Sequence, residues 1–366
     1  MASAVKVLLI DDASLIRRLL GRVLNQDPLI EVVGEAENGQ EGVELARTLQ
    51  PQVIILDIEM PVMNGMEALP LLKKAAPKAR IIMFSTLTES GARATLDALS
   101  AGADDYVTKP SNTGSFAATA GQINKQLAPM IKALAASATT YPSIRPHAEP
   151  KAAQQTVPDA DHSWLTVTSD GAPEIVVVGV STGGPQALQT FVPALPADLE
   201  VPVLIVQHMP AMFTRLLAER LDAQSAVKVG EATNGQVVKP GEVWFAPGGE
   251  HMYVTRQGEN IVLTTDTAPP VNECRPAVDP LFESAVENFG SRVLGVMLTG
   301  MGNDGLAGSR LIKSVDGYVI VQDQASSVVW GMPGMVAKAD LADQILPLNE
   351  IAPRVVDLLS TPRNRK

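Results

Sequence analysis

The sequence predicts an α/β protein with two doubly wound parallel sheets, one in each half of the chain. Three observations support this fold class. Segments that are apolar on both faces alternate with segments of helical spacing, this alternation occurs twice, and a proline-rich stretch separates the two series. A length of 366 residues exceeds one ordinary core and suits two domains of roughly 100–200 residues each.

The first series begins at Val5 and fills residues 1–138, which we expect to form the first domain. Strands are expected at Val5–Ile10, Ile30–Ala36, Val53–Leu56, Ile81–Phe84 and Asp105–Val107. Apolar residues spaced three or four positions apart predict helices at Ala13–Asn25, Gly39–Leu49, Ala68–Ala75, Gly91–Ala101 and Phe116–Ala136. Strands that are apolar on both faces are typical of a sheet covered by helices on both sides.

Residues 139–172 have a different character. Pro142, Pro146, Pro150 and Pro158 interrupt a run of small and polar residues that has neither helical nor strand periodicity. This composition predicts an extended, flexible linker between the domains.

The second series fills residues 173–366 and predicts a second α/β domain. Parallel strands are expected at Ile175–Val178, Val203–Val206, Val293–Leu298 and Tyr318–Val321. Helices are expected after Pro185 and at Thr214–Gln224, Pro280–Asn288, Ala307–Ser314 and Ala352–Leu359. Three short segments resemble antiparallel hairpin strands, namely Glu242–Phe245, Met252–Thr255 and Ile261–Thr264.

Composition excludes several classes of protein. The net charge is −11 and neither half is basic, so the sequence lacks the electrostatic footprint of a nucleic-acid-binding protein. No apolar run approaches the roughly 20 residues that cross a bilayer, and the N-terminus lacks the layout of a signal peptide. The single cysteine, Cys274, cannot form an internal disulfide. We therefore expect a cytoplasmic protein without membrane insertion.

Several polar side chains stand where strands of the first domain end, and such ends meet at one edge of a parallel sheet. Clustered carboxylates repel one another unless a cation neutralises them, and oxygen ligands favour Mg²⁺. A carboxylate beside Mg²⁺ can attack a phosphoryl donor while a lysine and a hydroxyl bind the transferred oxygens. The residues concerned are Asp11, Asp12, Asp57, Ser85, Thr86 and Lys109.

Over roughly residues 4–130 the sequence resembles the receiver domains of two-component response regulators, which have a flavodoxin-like fold. The resemblance rests on Asp11–Asp12, on Asp57 in ILDIEMPVMNG, on Ser85–Thr86 and on Lys109 in YVTKP. It implies that Asp57 is the phosphoacceptor and that Lys109 contacts the phosphate. It also implies that Asp11, Asp12, Asp57 and the backbone of Glu59 bind Mg²⁺. Either Ser85 or Thr86 could supply the switch hydroxyl, and we favour Ser85.

A candidate nucleophile follows the first strand of the second domain. Ser181 lies in GVSTGGP, which fits G-x-S-x-G between a strand and a helix. The glycines permit a tight turn that exposes the hydroxyl, and backbone N–H groups at the helix start can stabilise an oxyanion. Two other interpretations remain, because glycine-rich turns also bind phosphates or serve only as turns.

A serine nucleophile needs a base, and the chain has only four histidines. His147 and His162 lie in the predicted linker. His208 ends a buried strand at the same sheet edge as Ser181, whereas His251 follows a turn between expected hairpin strands. We therefore prefer His208 to His251 as the base.

The orienting acid is expected from another strand end. Val293–Leu298 leads into TGMGNDG, in which Asp304 can fix the imidazole tautomer and stabilise the imidazolium. A loop acid or helix cap is the alternative interpretation of Asp304. The chain order Ser, His, Asp differs from that of the α/β-hydrolases, which argues against that fold.

From about Glu174 to Leu359 the sequence resembles the catalytic domains of the chemotaxis protein-glutamate methylesterases, the CheB family. The resemblance rests on five motifs in order, GVSTGGP, QHMP, APGGEHM, CRPAVDPLF and TGMGNDG. It implies a Rossmann-like domain in which Ser181, His208 and Asp304 form the triad. The backbone N–H groups of Met301 and Thr182 are the implied oxyanion donors.

The two resemblances together imply an esterase that is activated by phosphorylation. Its substrates would be glutamate γ-methyl esters and certain glutamines on methyl-accepting chemoreceptors, and its phosphodonor would be the chemotaxis histidine kinase CheA. Mg²⁺ would serve phosphorylation, ester hydrolysis would need no cofactor, and the chain would act as a monomer. In the family the unphosphorylated receiver covers the active site.

Two other classes of function remain open at this point. A receiver could be joined to a DNA-binding domain, although the acidic second half and the lack of a helix-turn-helix pattern argue against it. The second domain could also be a nucleotide-binding or scaffold module in which Ser181 is only a turn residue. Labelling of Ser181 by a fluorophosphonate would distinguish an esterase from a scaffold.

Overall fold

The structure, a computed structural model, describes residues 4–109, 116–138 and 171–360. The predicted linker, 139–172, lies outside the described residues except for its last two positions. In the three ranges that are described, no helix combines the length and the apolar composition needed to cross a membrane.

The first domain is a five-stranded parallel sheet with strand order β2-β1-β3-β4-β5. Its strands are β1 (Val5–Ile10), β2 (Ile30–Ala36), β3 (Val53–Asp57), β4 (Arg80–Ser85) and β5 (Asp105–Thr108). Its helices are α1 (Ser14–Leu24), α2 (Gly39–Leu49), α3 (Gly65–Ala75), α4 (Glu89–Ser100) and α5 (Phe116–Ala138). This order is that of a flavodoxin-like sheet, as the sequence predicts.

Local sequence explains where the helices near the functional edge begin. Asn64 accepts a hydrogen bond from Glu67 N, and the Glu67 side chain accepts one from Asn64 N, so a capping box starts α3 just after β3. The Thr88 hydroxyl accepts from Gly91 N and starts α4 just after β4. Both loops are thereby fixed next to the strand ends that carry the candidate phosphorylation residues.

The second domain is a seven-stranded parallel sheet with an added three-stranded antiparallel sheet. Its strands are β6 (Ile175–Val180), β7 (Val203–Gln207), β8 (Lys228–Glu231), β9 (Gln236–Val238), β10 (Glu242–Phe245), β11 (His251–Gln257), β12 (Asn260–Asp266), β13 (Val293–Met297), β14 (Tyr318–Gln322) and β15 (Gln344–Leu346). Its helices are α6 (Gly184–Phe191), α7 (Ala211–Asp222), α8 (Val278–Phe289), α9 (Leu306–Ser314), α10 (Met332–Lys338) and α11 (Leu348–Ser360).

The strand order of this larger sheet is β15-β14-β13-β6-β7-β10-β8. Starting from β6, successive strands are added on one side and later ones on the other, so the strand order reverses next to β6. Open α/β sheets bind their ligands at such a switch point. β7 and β13 are the neighbours of β6. The loops that follow these three strands are therefore adjacent at one sheet edge.

One strand assignment from the sequence is wrong. Glu242–Phe245 was expected in an antiparallel hairpin, but β10 pairs in parallel with both β7 and β8. The segment is only four residues long and precedes a true hairpin, and a short apolar run does not specify its direction. The hairpin expected from Met252–Thr255 and Ile261–Thr264 is confirmed as β11 and β12.

The two domains pack through α4 and β5 of the first and α6 and α7 of the second. Tyr106 stacks on Phe213 with ring centroids 4.4 Å apart. Asp97 and Arg220 form an ion pair with a distance of 2.5 Å between Oδ1 and Nη2. Gln189 Nε2 donates to Ser100 Oγ at 2.7 Å. The first domain therefore lies against the sheet edge that carries the candidate triad.

Candidate active site

Ser181 occupies a tight turn between β6 and α6. Its N–H donates to Thr299 O at 3.0 Å, and its carbonyl accepts from Gly184 N at 2.7 Å. The buried amide of Gln207, at the end of β7, also donates to that carbonyl at 3.0 Å. The turn that carries Ser181 is thus held from both neighbouring strands.

Two glycines make this turn possible. Gly183 has φ +76°, and a Cβ there would lie 2.5 Å from Val328 Cβ. A Cβ on Gly184 would lie 1.8 Å from Gln207 Oε1. No larger residue fits at Gly184, and one at Gly183 would be strained as well as crowded. Steric crowding therefore explains why the sequence motif has glycine at both positions.

His208 and Asp304 meet at the same edge. His208 Nε2 lies 2.8 Å from Asp304 Oδ2, and the Asp304 side chain is 3 % exposed. Burial raises the pKa of Asp304, but the hydrogen bond from His208 and its charge outweigh burial, so the net pKa is lowered. Asp304 is therefore an ionised partner for the imidazole.

Cys274 is a neighbour of His208 that the sequence reasoning missed. Its Sγ lies 3.6 Å from His208 Nδ1, on the ring nitrogen opposite Asp304. Burial lowers the pKa of His208, but the hydrogen bonds with Asp304 and Cys274 outweigh it and raise that pKa to about 9. Both ring nitrogens of His208 thus have a polar partner in this conformation.

The hydroxyl of Ser181 has no hydrogen-bond partner among the described residues, His208 included. Ser181 and His208 follow adjacent strands, and Gly300 is so close that a Cβ on it would lie 2.9 Å from Ser181 Cβ. The three predicted triad residues therefore meet at one edge, with the His–Asp pair formed and the Ser–His pair not yet formed. Catalytic hydrogen bonds are often formed only in the substrate complex.

The predicted oxyanion donors flank Ser181. Thr182 follows it directly, and Met301 follows Gly300, whose N–H donates to Val329 O at 3.0 Å. Within the described ranges, neither the Thr182 N–H nor the Met301 N–H donates a hydrogen bond. Thr299 Oγ1 donates to Thr182 O at 2.9 Å and ties the two loops together. Both N–H groups are thus available to a substrate oxygen.

The predicted phosphorylation residues also converge, at the carboxyl edge of the first sheet. Lys109 Nζ lies 2.8 Å from Asp11 Oδ2 and 2.7 Å from Asp57 Oδ2. Burial is the main cause that raises the pKa of Asp57 to about 6, and the Lys109 contact opposes it. A cavity of about 270 Å³ opens here. It is lined by Asp12, Asp57, Ile58, Glu59, Ser85, Thr86, Gly91 and Lys109.

This pocket fits a hard divalent cation. Asp11, Asp12 and Asp57 each offer a carboxylate oxygen, and the three oxygens lie within 4.8 Å of one another. An all-oxygen donor set with several carboxylates suits Mg²⁺. Glu59, the predicted backbone ligand, lines the same cavity.

The two candidate switch hydroxyls have different surroundings. Ser85 is 1 % exposed, and its hydroxyl donates to Gly91 O at 3.2 Å. Thr86 Oγ1 instead lies 3.2 Å from the hydroxyl of Thr88 at the mouth of the cavity. Ser85 remains our preferred switch residue because its hydroxyl is fixed inside the pocket.

The first domain reaches the catalytic turn through β5. Asp105 is 6 % exposed and lies against the Thr182 side chain. Gln186 Nε2 donates to the carbonyl of Ala103, just before β5. On α5, Lys125 pairs with Glu273 at 2.9 Å, next to Cys274. Thr182, the residue after Ser181, is therefore covered by the first domain.

His251, the other candidate base, has a different environment. It is fully buried, and its Nδ1 accepts from Ala277 N at 3.2 Å while its Nε2 donates to Pro269 O at 3.1 Å. Both ring nitrogens are occupied by backbone groups. His251 thus stabilises the segment before α8 through these two hydrogen bonds and is not placed to act on Ser181.

Comparison with known proteins agrees with this geometry. The sequence model of the CheB methylesterase family matches residues 176–355, and that of the response regulator receiver domain matches residues 7–120. A protein-glutamate methylesterase/protein-glutamine glutaminase from Trichodesmium erythraeum is 45 % identical over 96 % of this chain and 98 % of its own. One from Nocardioides sp. is 46 % identical over 98 % of this chain and 96 % of its own.

A solved structure extends the likeness to the fold. The catalytic domain of the Thermotoga maritima CheB methylesterase is 41 % identical and superposes with a TM-score of 0.50, covering 51 % of this chain and 99 % of its own. The prediction of a receiver domain followed by a Rossmann-like esterase domain is confirmed. The chain therefore belongs to the protein-glutamate methylesterase/protein-glutamine glutaminase family, in which it carries a receiver domain ahead of its esterase domain.

Proposed function

We propose that this enzyme removes methyl esters from glutamate side chains of methyl-accepting chemoreceptors, with Ser181 as nucleophile, His208 as base and Asp304 as orienting acid. The observation that carries the proposal is the convergence of three strand-end loops, which pairs His208 with Asp304 beside the Ser181 turn. The net reaction converts ester and water into carboxylate and methanol.

The steps follow from the positions of the side chains. Ser181 Oγ attacks the ester carbonyl carbon as neutral His208 takes the hydroxyl proton, and the N–H groups of Met301 and Thr182 stabilise the oxyanion. His208 returns the proton to the departing methanol. A water then attacks the acyl-enzyme, again with His208 as base, and glutamate is released. A glutamine substrate follows the same steps and loses ammonia instead of methanol.

The receiver would control access to this chemistry. Asp105 contacts Thr182, Ala103 contacts Gln186 in the first turn of α6, and Tyr106 packs on Phe213. A substrate helix therefore cannot approach Ser181 from that side. Phosphorylation of Asp57 would weaken these contacts and separate the domains. The alternative outputs lose support, because residues 173–360 contain no helix-turn-helix and the paired His208 and Asp304 lie beside the Ser181 turn.

Asp57 would be phosphorylated by the chemotaxis kinase CheA. Asp11, Asp12, Asp57 and the backbone of Glu59 would hold Mg²⁺, which neutralises charge on the transferred phosphoryl group when bound. Lys109 and Ser85 would bind the phosphoryl oxygens. Ester hydrolysis would use only the side chains and backbone of the catalytic domain.

The proposed enzyme is a cytoplasmic monomer with three segments, the receiver at 1–138, a linker at 139–172 and the catalytic domain at 173–366. Two observations support these boundaries. The last receiver helix, α5, ends at Ala138. Glu174 N donates to Arg292 O at 2.8 Å, which attaches the chain before β6 to the catalytic domain.

The direct test is methanol release from methylated receptor membranes, with and without acetyl phosphate and Mg²⁺. We expect the phosphodonor to increase methanol release by the full chain and to leave Asp57→Asn unstimulated, because that variant lacks the acceptor carboxylate. Glu31→Gln, which changes an exposed acid elsewhere in the receiver, should respond like the unmodified chain. Full stimulation of Asp57→Asn would exclude the proposed control.

The interface should also depend on pH through Asp105. Burial is the main cause that raises the pKa of this carboxyl to about 7, and the charge of Asp104 adds to it, while hydrogen bonds from Tyr106 N and Thr182 oppose it. Separation would return Asp105 to water, where its pKa is near 3.8. The packed form therefore binds more protons between these two values, and it loses stability as pH rises through that window and then levels off.

We expect the ratio of separated to packed chains to rise by up to about tenfold per pH unit below pH 7. Small-angle scattering of the unphosphorylated chain between pH 5 and 8 should record the change as a growing radius of gyration. Asp105→Asn, which cannot titrate, should remove most of this dependence. An identical pH response in Asp105→Asn would contradict the assignment.

A further inference from the structure

Asp304 has a polar partner outside the triad that comes from a different loop. The Asn272 amide Nδ2 donates to Asp304 Oδ1 at 2.9 Å and to Asp279 Oδ2 at 2.8 Å. One amide group thus uses its two hydrogens to bridge two carboxylates. Neither the motifs nor the strand-end argument predicted a role for Asn272.

The bridge lies where two like charges are brought together. Asp279 N donates to Asp304 Oδ1 at 3.3 Å, so the two acids are adjacent at the start of α8. Burial is the main cause that raises the pKa of Asp279, and the charge of Asp304 contributes. Each carboxylate would also disfavour ionisation of the other if nothing lay between them. A neutral donor to both relieves this repulsion without adding a charge.

The orientation of Asp304 depends on the same donors. Its Oδ2 faces His208 and accepts from Val278 N at 2.6 Å, whereas its Oδ1 accepts from Asn272 and from Gly305 N at 3.1 Å. Asn272 is the only side chain other than His208 that donates to Asp304 among the described residues. Without it, Oδ1 keeps only backbone donors.

The loop is built to hold this amide. Backbone hydrogen bonds link Val271 and Cys274 in both directions, at 3.1 and 2.9 Å. Asn272 and Glu273 between them have φ of 50° and 64°, a region that asparagine enters more readily than most residues. The same turn places Cys274 Sγ against His208 Nδ1. The turn therefore contacts Asp304 through Asn272 and His208 through Cys274.

We infer that Asn272 is a positioning residue for ester hydrolysis, which acts through Asp304 by keeping that carboxylate ionised and turned toward His208. The inference rests on the proposed triad. Loss of the amide leaves Asp304 next to Asp279 without a neutral bridge, which favours protonation or rotation of Asp304. Either change weakens stabilisation of the imidazolium that forms in the transition state.

The first test compares Asn272→Gly with Asp340→Gly in the full chain, activated by acetyl phosphate and Mg²⁺. Both substitutions relax an exposed left-handed residue of the catalytic domain, but only the first removes the amide. We expect kcat for methanol release to fall about 10- to 100-fold in Asn272→Gly, the size of one lost hydrogen bond to a charged group. KM should stay within about twofold, and Asp340→Gly should remain near the activity of the unmodified chain.

The second test uses Asn272→Asp, which keeps shape and backbone preference. This side chain can donate only when protonated, and then only one hydrogen bond. Its kcat relative to that of the unmodified chain should therefore rise as pH is lowered from 9 to 6. A residue that only shapes the turn would give a ratio independent of pH, which would overturn the inference. Because Asn272→Asp is isosteric, it remains informative if the glycine variant fails to fold.

Ser181→Ala is measured on the same substrate so that failure of the Asn272 inference can be distinguished from failure of the proposed triad. Normal kcat in Asn272→Gly, together with an inactive Ser181→Ala, overturns the role of Asn272 and leaves the triad intact. Normal activity in Ser181→Ala overturns the triad, and the role of Asn272 falls with it.

Discussion

Substitution of Ser181 by alanine is expected to lower the turnover of glutamate methyl esters by about 10⁴- to 10⁶-fold, the usual cost of removing a triad nucleophile. The reason is that the other hydroxyl in the turn between β6 and α6, that of Thr182, is buried against Asp105 of the receiver, which leaves Ser181 as the nucleophile where the loops after β7 and β13 converge. The measurement is methanol release from methylated receptor membranes by the full chain with acetyl phosphate. A fluorophosphonate should label the unmodified chain at Ser181 and should not label the variant.

The matched control is Ser314→Ala, which removes an exposed hydroxyl of α9 in the same domain. It should leave turnover and labelling unchanged. Ser181→Ala should still accept a phosphoryl group at Asp57, which shows that the receiver is folded. Residual turnover within tenfold of the unmodified chain would mean that Ser181 is not the nucleophile.

Substitution of Asp304 by asparagine is expected to lower kcat by about 10⁴-fold, as loss of the triad acid does where the geometry is kept. The carboxylate accepts from His208 Nε2 at 2.8 Å and from Val278 N at 2.6 Å through the same oxygen. An amide nitrogen at that position would face two donors, and an amide oxygen there would stabilise the imidazolium far less. KM should change little, because Asp304 is buried behind His208.

The control for Asp304→Asn is Asp340→Asn, which makes the same chemical change at an exposed loop residue with φ 54°. Thermal unfolding of both variants separates loss of catalysis from loss of fold. A kcat for Asp304→Asn near that of the control would show that the His208–Asp304 pair has no part in the rate.

The strands whose ends carry the candidate site residues could be predicted from the sequence. Strands such as Val203–Val206 and Val293–Leu298 are apolar on both faces, and this property alone placed His208 and the loop of Asp304 at one sheet edge. The direction of Glu242–Phe245 could not be obtained in the same way. A segment of four residues, three of them apolar, pairs equally well in either direction, and its parallel direction is set by packing against β7 and β8.

Contacts between distant loops could not be predicted either. Cys274 lies 66 positions from His208, and Asn272 lies 32 positions from Asp304. Neither pair has a periodicity or spacing that connects its members. The turn at Val271–Cys274 nevertheless places the cysteine thiol 3.6 Å from the imidazole of His208.

The shortest strand of the receiver has a consequence for signal transmission. Lys109, which contacts Asp57, and Asp105, which contacts Thr182, belong to one extended segment and are four residues apart. At about 3.3 Å per residue they are separated by roughly 13 Å, and their even spacing puts both side chains on the same face. The backbone of this segment therefore connects the lysine that contacts Asp57 directly to the carboxylate that contacts Thr182, without intermediate side chains.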